Sequence, residues 1–159
     1  MSKIIAVADT HGDRAAIQII RDAHPDAFLR IHCGDSELRK SDMLGYITVQ
    51  GNADYPDEFP GGKLIRTSGH TILVKHGHDL FGSYPQYRYL AEEAKKYGCD
   101  ILLFGHAHVF CDETVNGVRI INPGAVTNAK DGIRSYAELL IENDNVVVHR
   151  ILYPQNCRM

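Results

Sequence analysis

The sequence predicts an α/β fold with more strands than one short sheet can hold. Three observations carry this. Short apolar runs alternate with amphipathic helical stretches up to residue 106, an order that favours parallel strands joined by helical crossovers. From residue 107 onward the chain loses its helical period and becomes β-rich. The strand-like segments together are too many for a single sheet, so the core is expected to contain more than one.

The elements follow in order. "KIIAVAD" (3–9) is a short apolar run of the kind that forms a buried strand. "DRAAIQIIRDAHP" (13–25) is a helix: Asp13 serves as N-cap, Ile17 and Ile20 share a face, and Pro25 stops it. "DAFLRIHCGD" (26–35) and "LGYITVQGN" (44–52) are the next two strands. "GKLIRTSGHTILVKHGH" (62–78) supplies two more around the Ser68-Gly69 turn. The clearest helix is "SYPQYRYLAEEAKKYG" (83–98), with Ser83 and Gln86 as a capping box and Gly98 at the C-cap. Leu90, Ala91, Ala94 and Tyr97 are its expected buried stripe, and Glu92, Glu93, Lys95 and Lys96 its wet face. "DILLFGH" (100–106) is a further central strand. "VFCDETV" and "VRIINPG" flank the Asn116-Gly117 turn, and two last strands meet through "ENDN". With no repeat, linker or low-complexity segment, residues 1–159 are expected to form one domain.

Composition narrows the function. A formal net charge of −3 gives no broad basic field for nucleic acid or anionic membrane. Cys33, Cys99, Cys111 and Cys157 lack paired spacing, which argues against a thiolate zinc site and suits a reducing compartment. The N-terminus reads as a strand rather than a leader, and no run approaches the ~18 apolar residues of a membrane span. A cytoplasmic location is the expectation. His24 beside Pro25 is expected to face solvent, and His32 and Cys33 to be packed.

The unusual residues fall at strand ends. Asp9 and His11 close the first strand, Gly34 and Asp35 the second, Gly51 and Asn52 the third. His76 and His78 close a later strand, and His106 and His108 follow "DILLF". In open α/β sheets ligands gather at the C-terminal edge of the strands. In extended backbone, residues two apart point the same way, so Asp9 with His11, and His106 with His108, are expected to converge. Carboxylate, amide and imidazole without thiolate suit Mn²⁺, Fe²⁺, Zn²⁺, Co²⁺ or Ni²⁺. Each motif alone is common; the ordered set is not.

That ordered series, with the late "NPG" at 122–124, resembles the calcineurin-like metallophosphoesterase superfamily, and in length its small single-domain bacterial and archaeal phosphodiesterases. The resemblance implies a four-layer α/β/β/α sandwich, two mixed β-sheets face to face with helices outside. It implies two divalent transition-metal ions, Mn²⁺ ranked first and Ni²⁺, Fe²⁺, Zn²⁺ or Co²⁺ after it. Asp9, His11, Asp35 and His108 would hold one; a bridging Asp35 with Asn52, His76 and His106 would hold the other. The implied chemistry is in-line attack on a phosphoester by a hydroxide bridging the metals, with a small phosphoester as partner. Many relatives carry histidine after Gly-Asn to protonate the leaving oxygen. Here that position is Ala53, so His78 and His11 become the candidate acids. Asp54 would orient a ligand, and Ala125 stands where relatives often have serine. Two other classes compete. One is a non-catalytic scaffold, as in the eukaryotic retromer subunit; the other is a nuclease, for which a capping domain and basic stripe are missing. Self-association through exposed tyrosines such as Tyr55 or Tyr84 is left open.

Overall fold

The first strand shows how the layers arise. In the computed structural model, which describes residues 1–159, β1 (Ser2–Val7) alternates strictly. Ile4 and Ala6 join one buried cluster, while Ile5 and Val7 join another on the opposite face. A strand buried on both faces must lie between layers. The same split recurs in β6 (Ile101–Leu103): Ile101 and Leu103 face the central cluster, Leu102 the outer one. Full burial of one such aliphatic side chain contributes about 1.5–3 kcal/mol.

The remaining elements are α1 (Arg14–Ala23), β2 (Leu29–His32), β3 (Ile47–Thr48), β4 (Lys63–Thr67), β5 (His70–Val74), α2 (Tyr87–Lys96), β7 (Cys111–Val115), β8 (Val118–Asn122), β9 (Ser135–Glu142), β10 (Asn145–Leu152) and β11 (Cys157–Arg158). They form a six-stranded sheet, β11-β10-β9-β1-β2-β3, and a five-stranded sheet, β4-β5-β6-β8-β7. Both are mixed: β1-β2-β3 and β5-β6-β8 run parallel, and the outer pairings are antiparallel. The central cluster takes Ile4, Ile31 and Leu139 from one sheet and Ile72, Leu103 and Ile121 from the other. α1 covers the outer face of the first sheet through Ala16 and Ile20, and α2 that of the second through Leu90, Ala91 and Ala94. This is the α/β/β/α sandwich.

Register places the site. Val7 pairs with His32 and His32 with Thr48, while Leu103 pairs with both Val74 and Ile121. The parallel strands of each sheet therefore end level, and the loops after them leave from one edge.

Several local expectations change. Asp13 caps α1 as expected, accepting the Ala16 N–H at 3.0 Å. The second helix begins at Tyr87, not near Ser83, and its cap Gln86 makes no side-chain bond. Pro85 explains this, because a residue before proline is pushed out of the helical region. Glu93 is nearly buried and pairs with Lys75, whereas Tyr97 is 53% exposed, so the buried stripe is rotated from the expected one. β3 is only two residues long, and a 3-10 turn at Lys40–Asp42 replaces a crossover helix before it. His24 is buried and hydrogen-bonds the Tyr136 hydroxyl at 2.7 Å; it does not face solvent. His32 and Cys33 are fully buried.

Candidate metal centre

The site is built from backbone in an uncommon conformation. Asp9, His11, Asp35, His106 and His108 all have left-handed φ, between 46° and 66°. For residues with a Cβ this costs about 1–2 kcal/mol each, and such strain gathers at functional sites. The expectation of extended segments with i, i+2 side chains on one side is therefore corrected. Asp9 and His11 converge because the chain turns, and His106 and His108 diverge into different groups. Cross-strand straps hold the turns: Asp9 N–H donates to Gly34 O at 3.1 Å, His11 N–H to Asp35 O at 3.0 Å, and Gly105 N–H to His76 O at 3.0 Å. Two glycines permit the close approach. A Cβ on Gly34 would lie 2.6 Å from the His76 ring, and one on Gly51 2.2 Å from an Asp35 carboxylate oxygen.

Two clusters result. The ligating atoms of Asp9, His11 and His108 lie within 4.8 Å of one another, as do those of Asp35, His76 and His106. The clusters abut: Asp9 Oδ1 is 3.5 Å from His108 Nε2 and 3.9 Å from His76 Nε2. Asn52 is exposed and places Oδ1 3.1 Å from His76 Nε2, which also lies 3.1 Å from Asp35 Oδ2. His78 is exposed beside this group, its ring centroid 5.4 Å from that of His76.

The hydrogen bonds fix which nitrogen faces inward. His76 Nδ1 donates to Cys33 O at 2.8 Å and His108 Nδ1 to Asn128 O at 3.0 Å. His11 Nδ1 donates to Glu37 Oε1 at 2.5 Å. Those acceptors carry no proton, so each ring spends its Nδ1–H outward and presents Nε2 to the clusters. Burial opposes a charge on His76, but Asp35 beside its Nε2 outweighs burial and raises its basicity. His11 Nε2 and His108 Nε2 face each other at 3.4 Å. Asp9 Oδ1 is buried with no hydrogen-bond partner at all, while Oδ2 accepts the His106 N–H at 3.1 Å. Imidazole nitrogens and carboxylate oxygens converging around a partnerless buried oxygen fit a divalent cation, and this donor set suits borderline ions.

Electrostatics pull the two carboxylates apart. Burial, aided by the Asp35 charge, pushes Asp9 up to about 6 despite His76 and His108. Burial also opposes ionisation of Asp35, but the hydrogen bond and charge of His76 and the Ala53 N–H outweigh it and hold Asp35 at about 2. Behind the site, burial drives His32 down to about 3, keeping it neutral. Its Nδ1 accepts the Gly34 N–H at 3.1 Å and its Nε2 donates to Thr10 Oγ1 at 3.0 Å.

The sequence does not single out Glu37, because the His11 ring it meets lies 26 positions away. Asp54 was expected to orient a ligand. It is buried and accepts N–H groups from Gly51, Asp35 and Glu37 at 2.7, 3.0 and 2.7 Å, so it acts on loops. Ala53 contributes its N–H to Asp35 Oδ1 at 2.8 Å. Asn122 of the "NPG" stretch braces the Gly105 turn, donating to Gly105 O at 3.0 Å; Ala125 is fully buried and serves shape.

Comparisons with known proteins bear on the family and the fold. The chain is 35% identical over 149 residues to the "Probable metallophosphoesterase YsnB" of Bacillus subtilis, covering 91% of this chain and 88% of that one. A Streptococcus pneumoniae protein described as a predicted phosphoesterase superposes with a TM-score of 0.86 at 27% identity, covering 99% of this chain and 95% of that one. Two more distant likenesses speak to the fold alone. One is Vps29 of Entamoeba histolytica complexed with Zn²⁺ (TM-score 0.79, 18% identity, 99% and 96% covered); the other is an archaeal phosphodiesterase (TM-score 0.70, 22% identity, 94% and 99% covered). The profile of the calcineurin-like phosphoesterase superfamily domain matches residues 2–144, and with strand ends, turns and paired clusters arranged as above the chain belongs to that superfamily.

Proposed function

We propose that the protein is a metal-dependent phosphodiesterase with two divalent ions. The observation that carries this reading is the buried, partnerless Asp9 Oδ1 between two sets of inward-facing imidazole nitrogens. Asp9, His11, Asp35 and His108 would hold one ion, and Asp35, Asn52, His76 and His106 the other. Mn²⁺ is ranked first, with Ni²⁺, Fe²⁺, Zn²⁺ or Co²⁺ as alternatives. When bound, such a pair supplies an activated water for in-line attack and neutralises charge on the phosphoryl oxygens.

The chain's own residues do the rest. Asp9, Asp35 and Glu37 bring three negative charges to the centre. The charge of two divalent ions would exceed theirs, so the loaded centre would attract an anionic phosphoester. Asn52 and Ala53 are exposed beside the second cluster, so that cluster is open to solvent on their side. His11 is held at Nδ1 by Glu37 and aims Nε2 at the first cluster, which leaves it no free proton to give. The exposed, unbonded His78 is therefore the better placed proton donor to a leaving oxygen. His78→Ala should slow esters with poor leaving groups at least ~10-fold more than nitrophenyl esters. Equal losses on both would assign His78 to something else.

Metal removal tests the reading as a whole. Exhaustive chelation should abolish hydrolysis of bis-p-nitrophenyl phosphate, and Mn²⁺ or Ni²⁺ should restore it, with His106→Ala as the blank. Full activity in chelated protein would refute metal dependence. Uptake of two ions with no hydrolysis of any phosphoester would favour a scaffold instead.

A further inference from the structure

The structure assigns Glu37 as a positioning residue: its carboxylate holds His11 in the ligating tautomer and makes the Asp9–His11–His108 cluster the tighter of the two ion sites. The inference rests on the two-ion reading above. Three observations support it independently of that reading.

First, the contact is short and specific. Glu37 Oε1 lies 2.5 Å from His11 Nδ1, with Glu37 about 40% and His11 about 24% exposed at the side chain. Second, the backbone is arranged to make it. Glu37 itself has left-handed φ, 55°, which a residue with a long side chain adopts only under constraint. The constraint is Asp54, whose Oδ1 accepts the Glu37 N–H at 2.7 Å. The two loops are also strapped directly: His11 N–H donates to Asp35 O at 3.0 Å, and Gly12 N–H to Ser36 O at 2.7 Å. Third, Glu37 differs from its counterparts. His76 and His108 give Nδ1–H to neutral backbone carbonyls, of Cys33 and Asn128. Of the three, His11 alone has a charged acceptor. A carboxylate on the outer nitrogen fixes ring orientation and raises the basicity of the inner one. It also adds a negative charge behind the His11 ring, on the side of the ring away from the first cluster.

Two measurements on the full chain test this. Calorimetric titration of metal-free protein with Mn²⁺ should show two binding steps. In Glu37→Ala the tighter step should weaken by roughly 10- to 100-fold, the usual effect of losing such a partner, while the weaker step changes little. Glu37→Gln keeps an acceptor oxygen but no charge, and should fall between. Imidazole ¹⁵N spectra of the metal-free protein give the second readout: His11 should carry its proton on Nδ1 in wild type and Glu37→Gln, and populate both tautomers in Glu37→Ala. A role limited to shaping the loop would leave tautomer and Gln rescue unmoved, because every variant keeps the backbone bond to Asp54. Two steps in wild type that persist unchanged in Glu37→Ala would overturn the assignment of Glu37 alone. A wild type that takes up no ion would overturn the two-ion reading and the affinity claim with it. The tautomer would then decide separately whether Glu37 orients His11.

Discussion

Asp9→Asn should stabilise the metal-free protein above pH 6 while removing its hydrolytic activity. The two effects have one cause. Asp9 is fully buried, and its Oδ1 meets only the Nε2 atoms of His108 at 3.5 Å and His76 at 3.9 Å. An amide of the same shape would keep an oxygen for the His106 N–H and turn its NH₂ toward His108 Nε2, satisfying a lone pair that otherwise awaits a cation. The folded-state value of Asp9 is raised from 3.8 to about 6, chiefly by burial. The folded protein therefore holds this proton more tightly than the unfolded chain. Stability falls as pH rises between those values, and above about 6 the full penalty remains, roughly 2–3 kcal/mol. Asp35 is held at about 2 and acts in the opposite sense: its contribution is present above 3.8 and is lost as pH falls toward 2. The difference between wild type and Asp9→Asn in metal-free urea unfolding thus isolates Asp9. It should be near zero at pH 4 and favour the variant at pH 7. Added Mn²⁺ should raise the unfolding midpoint of wild type only. Diester hydrolysis should drop by more than roughly 100-fold, beyond what loss of an outer partner alone causes. A variant less stable than wild type at pH 7 without metal would mean that Asp9 is already satisfied in the metal-free fold.

The sandwich and the site differ in how far they could be read from the chain. Apolar runs such as "KIIAV" and "ILL" mark strand positions because burial on both faces demands such runs, and the residues following them mark the edge where the two clusters gather. What the runs do not encode is how the chain leaves the sheet. Asp9, His11, Asp35, His106 and His108 all sit at left-handed φ, a conformation that local propensity disfavours and that only straps between distant loops maintain. Spacing arguments based on extended backbone therefore joined Asp9 to His11 for the wrong reason, and joined His106 to His108 where the structure parts them. Glu37 stayed hidden for a related cause. Its partner, His11, is 26 positions away, and "GDSEL" read alone is an ordinary polar loop. α2 shows the opposite failure, where a plausible capping pattern at Ser83 lost to the restriction that Pro85 imposes on Tyr84. His24 looked solvent-facing by its place next to a proline, yet tertiary packing gave it Tyr136.

Asp54→Asn should be among the most damaging single substitutions outside the proposed ligands, although it changes one atom pair and touches no candidate substrate contact. Asp54 Oδ2 accepts the Gly51 and Asp35 N–H groups, and Oδ1 accepts the Glu37 N–H and, at 3.5 Å, the Ser36 hydroxyl. One carboxylate thus fastens the loop after β2 to the loop after β3. An amide can present an oxygen to only one side; its NH₂ then opposes an N–H donor that has lost its acceptor and cannot reach water. Hydrogen bonds to charged groups contribute about 1.5–3 kcal/mol each, and a buried donor left unpaired costs about 1–3 kcal/mol, so a loss on the order of 3–5 kcal/mol is expected. The functional effect should exceed the stability effect. Asp35 and Glu37 both hang from this anchor, one bearing on the second cluster and the other, through His11, on the first. Chemical denaturation of metal-free Asp54→Asn should show the lower stability, and titration with Mn²⁺ should show both binding steps weakened, in contrast to the single step that Glu37→Ala affects. Unchanged stability, or weakening of only one step, would mean the two loops are held together without Asp54. Because the anchor joins the Asp35 and Asn52 loops of one sheet, the second cluster should suffer more, with His76 and His106 left as the contribution of the opposite sheet.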